Sequence, residues 1–154
     1  MRLKRIWLLL VGLGLLFLIQ AGGVAWSQVT ERVSVDSAGD EANSASTNPS
    51  TSSSGRYVAF QSDATDLVAG GSNGSMHIFV RDRQTPTTTQ VSVDSAGNEA
   101  NAASSSPSIS SDGRYVAFES DATNLLGVGN DNNAWPDIFV HDLQTGTTTR
   151  VSVY

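Results

Sequence analysis

The sequence predicts an all-β protein in which two four-stranded antiparallel sheets follow an N-terminal signal helix. Three observations support this fold class. The chain of 154 residues contains an internal repeat, the repeat alternates short β-branched and aromatic runs with Gly, Asp, Ser and Pro, and no helix-period segment follows the first apolar stretch. Because the chain has no Cys, disulfides and thiolate metal sites are excluded.

The N-terminus has the pattern of a secretory signal peptide, which we assign to residues 1–27. Basic residues at the start precede an apolar run over 6–19, and small residues at Ala25 and Ser27 offer a cleavage site. An uncleaved anchor is the alternative, because the apolar stretch approaches the roughly 20 residues that span a bilayer. Both interpretations predict an exported protein, either periplasmic or extracellular.

Two near-identical copies of one unit make up the rest of the chain. Segment 33–39 returns as 91–97 and segment 55–60 returns as 113–118, at a spacing of about 58 to 60 residues. The repeat predicts an orphan outer strand at 28–35, a first unit at 36–93 and a second unit at 94–154.

Each unit is predicted to be a four-stranded antiparallel meander. In the second copy we expect strands at about 107–110, 114–119, 137–143 and 147–153, joined in part by Gly-containing turns. The run from Tyr115 to Phe118 is apolar throughout, and successive side chains of a strand point to opposite faces. Both faces of the sheet are therefore apolar, and each needs a covering layer.

Segments 107–121 and 136–151 carry a resemblance to a known repeat. They contain Ser-Asp-Gly-Arg-Tyr-Val-Ala-Phe and then Asp-Ile-Phe-Val-His-Asp-Leu, and the first copy departs where Met76 and His77 replace Pro136 and Asp137. This pattern resembles the repeat of TolB-like propellers, the WD40-like or PD40-type β-propeller repeat. The resemblance implies that each unit is a propeller blade and that the protein serves as an interaction platform or as part of an enzyme.

Two blades make only a partial β-propeller, because propellers typically close with four to eight blades. One explanation is a truncated N-terminal fragment of a larger propeller protein, or of a propeller-bearing enzyme, without independent activity. The other is an assembly in which several chains pool their blades. In both cases the open blade faces predict self-association.

Acidic residues concentrate in the long connections, which a meander places at one end of the sheet. The formal net charge is −6, and three of the nine basic residues lie in the signal segment, so the charge argues against nucleic acid and anionic membrane surfaces as partners. We expect a face that binds a protein or a glycan, although a solubilising rim fits the same pattern. Its acids are Asp36, Glu41, Asp63, Asp66, Asp94, Glu99 and Asp121.

A calcium site is the sharpest local hypothesis. Hard oxygen ligands of the type that calcium accepts are present at Asn130, Asp131, Asn133 and Asp137. The cluster fails the EF-hand pattern, and the first copy lacks it. Asn and Asp are also ordinary turn formers. A calcium-stabilised repeat protein therefore remains an alternative, and no other cofactor is predicted.

No catalytic motif has its expected context. Segment 70–74 satisfies the G-x-S-x-G pattern, but that motif needs a strand before it and a helix after it. His141 aligns with Arg81, which predicts an ordinary exposed polar position. The sequence therefore predicts that the protein is not an enzyme.

Overall fold

The computed structural model describes residues 30–127 and 135–152, and the segment from Glu31 onward forms one compact unit. Its strands form two sheets, each in sequential order. Sheet 1 consists of β1 (Ser46–Thr51), β2 (Tyr57–Ser62), β3 (His77–Asp82) and β4 (Thr87–Gln90), and sheet 2 of β5 (Ser104–Ile109), β6 (Tyr115–Ser120), β7 (Asp137–Asp142) and β8 (Thr147–Arg150). All pairings are antiparallel, which confirms the predicted all-β fold class.

The predicted signal helix lies outside the described residues. Within the part of the chain that the structure describes, no helix is long and apolar enough to cross a membrane.

The two sheets share one register. Phe60 of β2 pairs with Phe79 of β3, and Phe118 of β6 pairs with Phe139 of β7. In each pair the ring centroids are 5.9 Å apart and the rings are stacked. The repeated sequence therefore produces the same packing of aromatic side chains twice.

The first strand of each sheet contains an irregularity at the same place. The register shifts between Thr47 and Ser50 in β1, and between Ser105 and Ser108 in β5. Ser106 lies in the second bulge with a φ of 56°. This bulge explains why β5 begins before the predicted strand at 107–110, since pairing with β6 resumes on its N-terminal side.

One hydrophobic core joins the two sheets. Sheet 1 contributes Ala59, Ile78 and Val80, and sheet 2 contributes Val116 and Phe118, all at most 4% exposed. A smaller cluster around Phe60, Phe79 and Leu67 lies on the other face of sheet 1. The two sheets are therefore layers of one folded unit.

The predicted outer strand at 28–35 is described only over 30–35. There, Val35 forms an isolated bridge with Glu41, and no strand is present. Val93 and Glu99 form the equivalent bridge before sheet 2. An outer strand requires a partner strand, and none of the described strands pairs with this segment. Its role in a further blade stays a prediction.

Candidate functional site

The long connections of both sheets lie at one end of the molecule, which we call the loop face. Its described parts are residues 36–45, 63–76, 94–103 and 121–127. The short turns β1–β2, β3–β4, β5–β6 and β7–β8 lie at the opposite end, as the meander topology requires. The loop face carries the acidic residues that the sequence singles out.

Asn43 holds two connections of the loop face together. Its Nδ2 donates to Thr65 Oγ1 at 2.9 Å, and its Oδ1 accepts from the Thr65 amide at 3.0 Å. The Asn43 amide donates to Asp66 Oδ1 at 3.0 Å. Asn101 makes the same three bonds with the equivalent residues of the second unit. We call Asn43 and Asn101 the Asn staples.

The Asn staples are not among the residues predicted from the sequence. The signal was present, because Glu-Ala-Asn occurs in both copies, at 41–43 and at 99–101. A side-chain amide can bind a neighbouring loop through both its donor and its acceptor. The staples therefore fix the shape of the loop face without contributing charge.

Asp36 and Asp94 are used by their own turns. Oδ1 of Asp36 accepts from the amides of Ala38 at 2.8 Å and of Asp40 at 2.9 Å. Asp94 makes the same turn, and its Oδ2 also accepts from Asn98 Nδ2 at 2.8 Å. The Asn98 hydrogen bond is the main reason why the pKa of Asp94 is lowered. These two carboxylates shape the loop face from within.

Three more of the predicted acids have partners. Asp66 accepts from an Asn staple, and Glu41 forms an ion pair with Arg32. Oε2 of Glu99 accepts from the Asn73 amide at 3.2 Å, which connects loop 63–76 of sheet 1 to the segment that enters sheet 2. These carboxylates therefore hold the connections in place.

Asp63 and Asp121 differ from the other acids of the loop face. They occupy equivalent positions directly after β2 and β6, and both are exposed. Only their backbone amides are engaged, with the carbonyl of Ala45 at 3.2 Å and that of Ala103 at 2.9 Å. Among the described residues nothing binds either carboxylate, so both are available to a partner.

His77 lies buried beneath the loop face. Its Nε2 is 3.0 Å from Asn73 Oδ1, and its Nδ1 is 3.0 Å from Ser92 Oγ. Because Asn73 Oδ1 also accepts from the Ser75 amide, it is the acceptor for His77, whose Nε2 carries the proton. Burial lowers the pKa of His77, although the nearby Glu99 opposes this effect. The ring is therefore neutral and ties three segments together.

The pair of Ser92 and His77 does not form a reactive site. Ser92 is 0% exposed, and its hydroxyl accepts from the Ile78 amide at 3.1 Å while it donates to the imidazole. A nucleophile must reach its substrate, and this hydroxyl is enclosed by the sheet. The contact between Ser92 and His77 is structural.

The expectation that position 141 is exposed is wrong. His141 and its equivalent Arg81 are both 5% exposed. His141 Nδ1 lies 2.9 Å from Thr148 Oγ1, and Arg81 Nη1 donates to Thr88 Oγ1 at 3.1 Å. Both side chains bind the outer strand of their sheet, so the position needs a long polar group that reaches a threonine.

The proposed calcium ligands fall mostly outside the described residues. Asn130, Asp131 and Asn133 lie there, whereas Asp137 is 2% exposed at the start of β7. Asp137 accepts from Ser152 Oγ at 2.6 Å and from Arg150 at 2.9 Å. Within the described residues no group of three or more His, Asp or Glu side chains could hold a metal ion. Calcium binding stays a prediction.

The outer rim of the loop face has the same cavity in both units. The first has a volume of about 460 Å³ and the second about 300 Å³. Each lies between the turn that begins with Asp36 or Asp94, the connection after β2 or β6, and the fourth strand of the sheet, β4 or β8. The shared lining positions include Asp36, Ser37, Leu67 and Thr88 in the first unit and Asp94, Ser95, Leu125 and Thr148 in the second.

Comparisons with known proteins find similarity to solved structures but not to a family model or a curated protein. No protein-family model matches the sequence, and no curated protein matches it. The crystal structure of TolB from Acinetobacter baumannii is similar to this chain with a TM-score of 0.45 and 18% sequence identity. The similar region covers 71% of this chain and 21% of that one. Membership of the WD40-like repeat family stays a prediction.

Proposed function

We propose that this protein is a non-catalytic, exported interaction module that binds a basic protein surface through its loop face. The proposal rests on a difference among the acidic residues of the loop face, namely whether the carboxylate is already bound within the protein. Most of them fix the connections, whereas Asp63 and Asp121 present exposed carboxylates from equivalent positions on a fixed scaffold. Loops held by a rigid scaffold are common binding surfaces, and complementary charge gives them specificity.

Trp135 supports a protein partner. It lies in the connection between β6 and β7, as Asp121 does, and it is 71% exposed. Exposed Trp side chains are frequent anchors of protein interfaces, where they fill a pocket of the partner. An aromatic anchor in the same connection as an exposed acid fits a partner surface that combines an apolar pocket with Lys or Arg.

The buried polar groups support a non-catalytic role. The His77 and Ser92 side chains satisfy each other below the surface, and His141 is bound to the outer strand. A general base must come within hydrogen-bonding reach of the proton that it removes from the substrate. These imidazoles serve the fold instead.

A glycan is the second candidate partner, and Trp135 is the observation that favours it. The face of an exposed indole can pack against the apolar side of a sugar ring. The two candidates differ in their salt dependence, because added salt screens ion pairs and leaves apolar stacking largely intact. Trp135→Ala should abolish glycan binding at every salt concentration.

The proposal can be tested on a panel of small exported proteins of known net charge, immobilised on a sensor surface. We expect the wild-type chain to bind basic members of the panel and to bind less at high salt. Replacing both Asp63 and Asp121 with Asn should raise the dissociation constant about tenfold, because two interfacial charges are lost.

Glu31→Gln provides the matched control. This change removes one negative charge, against two in the double variant, and Glu31 pairs with Arg83 near the turn end of sheet 1, away from the loop face. Its binding should equal that of the wild type, and circular dichroism should show the same fold in all variants. Undiminished binding by the double variant would contradict the proposal.

A further inference from the structure

The cavity on the outer rim of the loop face occurs in both units with the same kind of apolar lining. Leu67 and Val68 line it in the first unit, and Leu125 and Leu126 line it in the second. We call the two copies cavity 1 and cavity 2. Because the repeat keeps their frame constant, a difference in charge between them can be assigned to individual residues.

Two positions around the cavity carry an acid in the first unit and an amide in the second. Asp40 and Asp66 stand where the second unit has Asn98 and Asn124. Asp66 lines cavity 1 itself, and the Asp40 amide donates to Oδ1 of Asp36, which also lines the cavity. Among the described residues, two carboxylates line cavity 1 and one lines cavity 2.

The first exchange leaves an oxygen of Asp36 available. In the second unit Asn98 Nδ2 donates to Asp94 Oδ2 at 2.8 Å. Asp40 occupies the equivalent position, and an ionised carboxylate accepts hydrogen bonds but donates none. The described hydrogen bonds of the Asp36 side chain accordingly use Oδ1 alone. Its Oδ2 can therefore accept from a ligand.

The second exchange has the same consequence at Asp66. Asn124 is engaged on both sides, since its Oδ1 accepts from the Asn101 amide at 3.0 Å and its Nδ2 donates to the Glu99 carbonyl at 2.8 Å. Asp66 Oδ1 accepts from the Asn43 amide at 3.0 Å, but a carboxylate cannot donate to the carbonyl at the equivalent position. Within the described part of the chain, Asp66 Oδ2 has no hydrogen-bond partner.

Cavity 1 fits an organic cation with an apolar stem. Among the described residues no group of three or more His, Asp or Glu side chains could hold a metal ion, and a metal ion gains no favourable contact from Leu67 or Val68. An aliphatic ammonium group places its charge at the carboxylates and its methylene groups against the apolar lining. A guanidinium prefers both oxygens of one carboxylate, whereas an ammonium has three donors that reach separate oxygens. The cavity therefore suits Lys better than Arg.

We propose that cavity 1 binds the side chain of a lysine of the partner protein and that cavity 2 does not. Asp36 Oδ2 and Asp66 Oδ2 accept from the ammonium group, and Leu67 and Val68 contact the methylene groups. Charge complementarity identifies the occupant, and its source rests on the proposed function, in which the partner surface is basic. Arg81 is 5% exposed and donates to the Asp36 carbonyl at 2.7 Å, so its charge is held beneath the turn.

Nuclear magnetic resonance of the isotope-labelled chain tests the proposal with two capped peptides, Gly-Gly-Lys-Gly-Gly and its norleucine analogue, which has the same stem without the amine. The lysine peptide should shift the backbone amides of cavity 1, among them Leu67 and Thr88. It should leave those of cavity 2 in place, among them Leu125 and Thr148. The norleucine peptide should shift neither set, so the second unit is a control in the same spectrum.

Two double variants exchange the charge between the cavities. Asp40→Asn with Asp66→Asn should raise the dissociation constant of the lysine peptide about tenfold, because two charges near the ammonium group are lost. Asn98→Asp with Asn124→Asp should make the amides of cavity 2 respond to the same peptide. Each new side chain already occurs at the equivalent position of the other unit, so both variants should keep the circular dichroism spectrum of the wild type.

The double variant Asp63→Asn with Asp121→Asn is the matched control. It also removes two charges from the loop face, but neither residue lines either cavity, so the shifts caused by the lysine peptide should be unchanged. The two proposals therefore fail separately. A protein panel without a basic binder contradicts the proposed function even where the peptide shifts cavity 1, and a basic protein that binds through Asp63 and Asp121 supports it even where the peptide does not.

Free pentylamine distinguishes a protein side chain from a small amine, because it carries the same ammonium group and stem without a peptide backbone. If pentylamine shifts the amides of cavity 1 and the lysine peptide does not, the assignment to a partner protein is overturned. Equal shifts in both cavities, an equal response to the norleucine peptide, or wild-type binding by the Asp40→Asn, Asp66→Asn variant would each overturn the proposal as a whole.

Discussion

At the scale of single residues, the same Arg–Asp ion pair occurs at the turn end of both sheets. Arg56 Nε donates to Asp82 Oδ1 at 2.9 Å, and Arg114 Nε donates to Asp142 Oδ1 at 3.0 Å, with a second parallel bond in each pair. Asp82 Oδ1 also accepts from the Gln84 amide at 2.9 Å. Each pair joins the two short turns of its sheet. The Arg56 hydrogen bond holds the pKa of Asp82 well below its usual range.

The lowered pKa of Asp82 predicts a pH-dependent contribution to stability. Since the folded protein binds this proton more weakly than the unfolded chain does, the carboxylate stabilises the fold above the unfolded pKa of about 4. The contribution is lost as the pH falls below that value. Thermal melts should show Asp82→Asn to be less stable than the wild type at pH 7, with a difference that shrinks steadily toward pH 2.

Asp121→Asn is the control for this series, since no described residue binds that exposed carboxylate. Its melting temperature should follow that of the wild type at each pH. A deficit of Asp82→Asn that stays constant from neutral to acidic pH would show that the pair stabilises the turns by packing alone.

The acidic residues of the loop face show how much of the candidate site could be predicted from the sequence. The clustering of acids at one end followed from the strand pattern. The strand pattern did not show which carboxylates remain available to a partner. An Asp in a turn can bind the backbone amide two residues on, as Asp36 and Asp94 do. Asp63 looks no different from Asp66 in the sequence, and only the fold places Asn43 beside the latter.

At the scale of elements, the strands with β-branched and aromatic runs were predictable. The strand expected at 114–119 is β6, Tyr115–Ser120, and that expected at 137–143 is β7, Asp137–Asp142. The first strand was placed less well. β5 consists mostly of serine, which has little preference for strands, and a bulge shifts its pairing register between Ser105 and Ser108.

The turns that precede β2 and β6 offer a matched test of the contact between the sheets. Gly55 and Gly113 have φ values of 68° and 79°, so alanine is strained at both, at a cost of about 1 to 2 kcal/mol. At Gly113 the added methyl group would also collide with the Tyr57 ring. Overpacking of this kind typically costs a further ~1 to 3 kcal/mol. Urea unfolding in dilute solution should therefore rank Gly113→Ala as the more damaging change.

Tyr57→Ala provides the check on this interpretation. With the ring removed, Gly113→Ala should cost no more than Gly55→Ala, because only the backbone strain remains. An excess cost that persists without the ring would place the cause in the turn itself.

At the scale of the whole molecule, the sheets depend on each other. The larger hydrophobic core takes its members from both sheets and from the connection after β6, including Leu125. Separating the sheets would expose Ile78 and Phe118 together, both at most 1% exposed in the fold. Unfolding should accordingly be a single cooperative transition, since the larger core is covered only while both sheets are folded against each other.

The equivalent residues Ile78 and Ile138 test how much the contact between the sheets contributes to the free energy of unfolding. Ile78→Ala creates a cavity between the sheets and should cost about 2 to 4 kcal/mol in the free energy of unfolding. Ile138→Ala removes a side chain that is 41% exposed, so it should cost less than about 1 kcal/mol. Urea unfolding of both variants provides the comparison. Equal costs for the two isoleucines would show that the contact between the sheets contributes no more to stability than an exposed side chain does.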